Sequence, residues 1–155
     1  MPKPHRRTWP ELQEEMVRSP ARALGTLYRR FQAAANEAYA SRGWSDATLS
    51  HVQFLTETDE AGTRLSDVAS ALQTTKQYAG KLARDLESKG LITLAVDSAD
   101  RRVVLAKPTR RGRAFFEDAC EVRAELEAEF LSSLSPTRAA AFVSTVRELV
   151  DDRGA

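Results

Sequence analysis

Between Thr74 and Gly112 the chain changes period twice, and this constrains its fold more than any other stretch. Ala79, Leu82, Ala83 and Leu86 recur at helical spacing, and Gly90 supplies the usual stop. Leu91–Val96 and Val103–Ala106 then read as two short β-favouring runs, with Asp97-Ser98-Ala99-Asp100 as the turn between them. Pro108 ends the second run, and Thr109 is placed to cap another helix. A polar helix, a hairpin and a long helix therefore follow each other within forty residues.

Helical patterns flank this unit on both sides. Upstream, Pro10 opens a short segment, ELQEEMV, within a Pro-punctuated extension over 1–20. Leu24, Leu27, Tyr28, Phe31, Ala34, Ala35 and Ala38 mark a helix of about five turns ending near Arg42-Gly43. Ser45 or Asp46 is expected to cap the next helix, whose stripe includes Leu49, Val52 and Leu55. Leu65 is expected as a one-residue β-bridge. Ser66 is expected to cap a short helix that turns Val68, Ala69 and Leu72 inward, and Thr75 to cap the helix after it. Downstream, Phe115, Ala119, Val122, Leu126 and Phe130 form one face of a long helix. Pro136 starts a last one carrying Ala139, Phe142, Val143, Val146, Leu149 and Val150. The expected class is mainly α with a small β-hairpin (α+β), in a single domain over 1–155. A middle lobe spans 45–108, and flanking helices at 21–42 and 109–153 have apolar faces best buried against each other and against a second copy.

Charge is what makes the middle lobe distinctive. The net charge of +1 conceals ten Lys or Arg against four acids from Lys76 to Arg113, a net +6. Residues 114–130 then carry six acids and one Arg, a net −5. Such asymmetry points one surface at a polyanion and another at water or a partner. With 155 residues and a hydrophobic fraction of 42%, the chain can bury one sizeable core. It has no run of 18 apolar residues, so no membrane span is expected. The N-terminus, MPKPHRRTWPELQEEM, lacks the apolar core of a secretory signal, and the lone Cys120 suits a reducing cytoplasm. Two histidines and one cysteine, with no HExxH, CxxC or Gly-rich phosphate loop, point away from an enzyme, a resident cofactor or a metal site.

Three short helices followed by a hairpin is the winged helix-turn-helix order, and here a specific resemblance enters. Leu65-Ser66-Asp67-Val68-Ala69, Thr75-Lys76-Gln77 and Leu86-Glu87-Ser88-Lys89-Gly90-Leu91-Ile92 resemble the MarR family of bacterial regulators. Asp97-Ser98-Ala99-Asp100-Arg101-Arg102 is similar to that family's DxxDRR wing, and Thr109-Arg110-Arg111-Gly112 to its LTxxG signature. The resemblance covers roughly residues 21–150. It departs at Gln73, where Gly is common, at Thr74 and Pro108, where apolar residues are common, and at Gly80 inside the fourth helix.

The resemblance implies a homodimeric, cytoplasmic transcriptional regulator, most simply a repressor, that binds double-stranded DNA and responds to a small aromatic or anionic effector. Its major-groove residues would be Thr75, Lys76, Gln77, Tyr78 and Lys81, on the first turns of a recognition helix. Gln77 suits adenine, and the lysines suit guanine or phosphate. Ser66, Arg64 and Arg84 would reach phosphates. In the wing, Asp100 would orient Arg102 toward a minor groove, with Arg101 on a phosphate. Arg110, Arg111 and Arg113 open a helix where cations oppose its dipole, which suggests a further role in contacting the DNA backbone or a partner subunit. Arg30, Trp44, His51 and Phe54 are the effector-pocket candidates, with Trp9 as a cover, and Cys120 is expected to be structural. The competing reading is a winged-helix module that contacts protein instead of DNA, as an antirepressor or assembly factor.

Overall fold

The computed structural model describes residues 7–151; the remaining parts of the expected extension (1–6) and of the last helix (152–153) lie outside the described residues. The elements run α1 (Trp9–Arg18), α2 (Pro20–Ser41), α3 (Leu49–Thr56), β1 (Thr63–Arg64), α4 (Leu65–Ala71), α5 (Lys76–Ser88), β2 (Ile92–Val96), β3 (Val104–Pro108), α6 (Arg110–Leu131) and α7 (Pro136–Asp151). The sheet is antiparallel with order β1-β3-β2. Leu94 lies opposite Ala106, and Ile92 opposite Pro108 at the strand's last position.

The core forms where α2, α3, α5 and α6 meet the sheet. Tyr39, Phe54, Leu86, Leu91, Ile92 and Phe115 are its largest fully buried side chains. Tyr39 meets Phe115 edge-on at 5.5 Å between ring centroids, and Trp44 tilts against the same ring at 5.3 Å. The α6 stripe is buried as its spacing predicts, with Phe130 packed at the margin against Phe31.

Several local expectations are corrected. Thr48, rather than Ser45 or Asp46, caps α3, because His51 three residues on completes a reciprocal capping box with it. Arg64 occupies the N-cap of α4, and Ser66 lies inside its first turn. Leu65 opens that helix; the strand before it is Thr63–Arg64, paired to Ala106 and Leu105. Thr75 does cap α5, accepting from the Tyr78 N–H at 3.1 Å.

The joint between the lobes is closely packed. The Thr109 N–H donates to the Leu91 carbonyl at 3.0 Å. The Thr109 hydroxyl donates to the Gly90 carbonyl at 2.6 Å and accepts from the Gly112 N–H at 3.0 Å. Gly112 sits so close to Leu91 that a Cβ there would lie 1.9 Å from its carbonyl oxygen. Gly90 itself has φ +68°, a left-handed value that favours glycine. Gly112→Ala should therefore cost at least about 2 kcal/mol by overpacking against backbone. Urea unfolding checks this; a change below about 0.5 kcal/mol would show that the joint yields easily.

Candidate nucleic-acid interface

The first turns of α5 stand clear of the core. Ala79, Ala83 and Leu86 anchor its inner face, while Lys76, Gln77, Tyr78, Lys81 and Arg84 are exposed. Thr75, Gln77, Tyr78, Lys81 and Arg84 line one shallow groove, so five of the residues singled out in the sequence come together. Ser66 is exposed at the start of α4, its hydroxyl 3.3 Å from Asp67. Arg64 is exposed on β1. Gln73, in the turn between α4 and α5, has φ +50°, which explains why a Gly would suit that position.

The wing tip is built by aspartates. The Asp97 carboxylate accepts the Ala99 N–H at 2.7 Å, and the Asp97 N–H bonds the Val103 carbonyl at 2.9 Å. Asp100 accepts the Arg102 N–H at 3.0 Å and its Nε at 3.3 Å. The Arg102 side chain is 92% exposed, so this pairing aims the guanidinium outward without burying it. An exposed pair contributes under about 1 kcal/mol to stability. Arg101 is exposed beside it.

Other cations serve the fold. Arg111 donates from Nε to the Lys89 carbonyl at 3.1 Å and lies 4.9 Å from the Trp44 ring centroid. Arg113 pairs with Glu60. The unfavourable dipole position of these two is thus offset by contacts to the preceding lobe. The acidic stretch is also partly spent internally. Arg42 bridges Glu121 at 3.0 Å and Glu125 at 2.7 Å, and the Trp44 indole donates to Asp118 at 2.6 Å.

The four effector-pocket candidates do not share a surface. Phe54 is fully buried in the core, Arg30 is exposed on α2, and Trp44 is held by Asp118 and Arg111. His51 is 3% exposed and fully bonded. Its Nδ1 accepts the Thr48 N–H at 3.0 Å, which assigns the proton to Nε2, and Nε2 donates to Asp85 at 2.8 Å. Asp85 also accepts from Lys89 at 2.6 Å. Trp9 is exposed and covers none of these residues, and Cys120 is an exposed free thiol rather than a packed one.

A cleft that the sequence did not suggest lies where α3, the end of β3 and the start of α6 converge. It encloses about 560 Å³, with Leu55, Pro108 and Phe116 as apolar lining and Lys107, Arg110 and Arg113 as cationic lining. Residues from three distant segments meet there, so no local spacing signals it. Among the described residues, no three His, Cys, Asp or Glu are grouped to hold a metal ion, and no helix is long and apolar enough to cross a membrane.

No protein-family model matches the chain, and no curated protein matches it in sequence. Solved structures do match in three dimensions. The crystal structure of MarR aligns with a TM-score of 0.77 at 19% identity, covering 87% of this chain and 90% of that one. MepR from S. aureus, solved in complex with DNA, aligns at 0.73 and 21% identity, covering 86% and 98%. BpsR from Bordetella bronchiseptica, whose DNA binding is regulated by 6-hydroxynicotinic acid, aligns at 0.71 and 24% identity, covering 86% and 94%. The chain has the MarR winged-helix fold. In the terms of that fold, α3, α4 and α5 make the helix-turn-helix, and β2–β3 is the wing.

Burial holds the His51 imidazole below its ordinary value, against the opposing pull of Asp85. The Lys89 hydrogen bond holds Asp85 below the usual carboxylate range. Both native groups resist protonation, so the unfolded chain binds more protons as pH falls. The His51 contribution is present in full above 6.5 and is lost as pH drops below it, and the Asp85 contribution follows below 3.8. Wild-type stability should therefore fall between about pH 7.5 and about pH 5.5, and His51→Gln should flatten that slope. Urea unfolding at the two pH values checks this, and equal slopes would contradict it.

Proposed function

We propose that the chain is a sequence-specific DNA-binding transcriptional regulator, acting as a homodimer on a pseudo-palindromic site and most simply as a repressor. One observation carries this reading. Of the ten cations between Lys76 and Arg113, those on α5 and at the wing tip are exposed, and Lys76, Lys81, Arg84 and Arg101 have no carboxylate partner among the described residues. Cations that served only the fold would be bonded within the chain, as Arg111 is to the Lys89 carbonyl and Arg113 to Glu60. The same fold in MepR has been solved on DNA.

Geometry supports an assignment of roles. α5 presents Lys76, Gln77, Tyr78 and Lys81 at its N-terminal end, the end that enters a major groove in helix-turn-helix proteins. Arg102, aimed by Asp100, would enter the flanking minor groove, where narrow A·T tracts concentrate negative potential. Ser66, Arg84 and Arg101 would hold phosphates. Two copies would read successive major grooves about one helical turn apart. The apolar faces left uncovered on α2 and α7 (Leu24, Tyr28, Phe142, Val146, Leu149 and Val150) support the dimer.

The cleft between the lobes suits a small anion with an apolar body, since Arg110 and Lys107 line it together with Phe116 and Leu55. Its walls come from both sides of the Thr109 joint, so a ligand there would bias the lobe angle and with it DNA binding.

Binding to the chain's own promoter region, followed by gel shift, tests the reading. Arg102→Ala should weaken operator binding at least tenfold, about 1.4 kcal/mol or more, with the dimer intact. Gln77→Ala should relax base preference instead of lowering affinity uniformly, and wild-type affinity should fall steeply with salt. Absent or salt-insensitive binding would favour a winged-helix module that contacts protein. An aromatic acid that releases DNA from the wild type but not from Phe116→Ala would locate the effector in the cleft; equal release from both would exclude it.

A further inference from the structure

Helix α1 is built to be stable, yet it touches α2 only lightly and buries no residue among the described ones. Thr8 and Glu11 form a capping box at its start, Pro10 sits in its first turn, and Arg18 pairs with Glu14 at 2.6 Å. Trp9, Leu12 and Met16 fall on one face with Val17 beside them, and the helix has no buried residue. Trp9 is 71% exposed, Met16 65% and Val17 62%. A ten-residue helix is marginal in water without tertiary packing on its apolar face.

That packing cannot come from the neighbouring helix. Only Ser19 separates α1 from α2, and Pro20 fixes the first turn of α2. Antiparallel helix pairs need a connection of about 2–5 residues, so α1 cannot fold back along the exposed Leu24, Leu27 and Tyr28 of its own chain.

We propose that α1 is an exchanged arm, docking its Trp9–Leu12–Met16 face on α2 of a second copy of this chain. Charge selects that occupant. α1 carries three glutamates and one arginine, whereas α2 carries three arginines (Arg22, Arg29 and Arg30) and one glutamate. A two-fold contact that lays each α1 beside the other copy's α2 sets acid against base twice. Continuity selects it too. The apolar face of α1 leads into that of α2, which borders the open groove over Phe31, Phe130, Phe142 and Val146. The inference rests on the homodimer proposed above and adds to it a contact made by the N-terminal segment.

Fluorotryptophan labelling of the full chain tests it, because Trp9 and Trp44 are the only two tryptophans and a Trp9→Phe sample assigns the signals. The Trp9 fluorine resonance should shift and lose its solvent-isotope sensitivity as dilution is reversed and dimer forms. The double variant Trp9→Ser/Met16→Ser should raise the dimer dissociation constant about tenfold or more without altering the monomer's circular dichroism. A dimer that forms with an unchanged Trp9 signal and an unchanged dissociation constant overturns the arm and leaves the homodimer standing. A chain that stays monomeric at every concentration overturns both.

Discussion

Everything in this molecule turns on the contact of Gly112 with the Leu91 carbonyl. At that point α6, which carries the flank of the molecule, meets the exit from α5 with no room for a side chain between them. Thr109 fixes the same point by bonding Gly90 and Leu91 while capping α6. This one contact thus sets the angle of α5, the origin of β2 and the direction of α6 together. The cleft lined by Arg110 and Phe116 opens beside this joint, which is why the ligand proposed for it would act on the pose of α5.

Around that joint, the charges divide into two populations. Arg42, Lys89, Arg111 and Arg113 are used within the chain, tying α2 to α6, α5 to α3 through Asp85, and α6 back to the middle lobe. Lys76, Lys81, Arg84 and Arg101 are not used this way, and they occupy the exposed edge of α5 and the wing. A stability argument accounts for the first group and leaves the second without an intramolecular role. The proposed DNA contact accounts for the second.

The period change between Thr74 and Gly112 made α5, the hairpin and α6 readable from residues alone, because caps and stops there are local chemistry: Thr75, Gly90 and Thr109 each act within three residues or on an adjacent turn. The Asp100–Arg102 pairing was implied by the family resemblance, and the contact spans only two residues. Long-range features were not legible. Thr48 caps α3 only with His51, whose far side is tied to Asp85 thirty-four residues on, so Ser45 and Asp46 looked equally good in sequence. Trp44, His51 and Phe54 resembled pocket residues, but the aromatic cluster and the capping network absorb them. The basic start of α6 was readable as a charge cluster, whereas its targets, the Lys89 carbonyl and Glu60, depend on tertiary packing.

The central claim is that two copies of α5 enter successive major grooves while Arg102 enters the flanking minor grooves. Guanine-N7 methylation protection on a bound operator fragment, combined with hydroxyl-radical footprinting, measures this directly. The account predicts two protected major-groove patches centred about 10 base pairs apart, each flanked outward by minor-groove backbone protection that Arg102→Ala removes. A single patch, or a footprint that Arg102→Ala leaves unchanged, would contradict it.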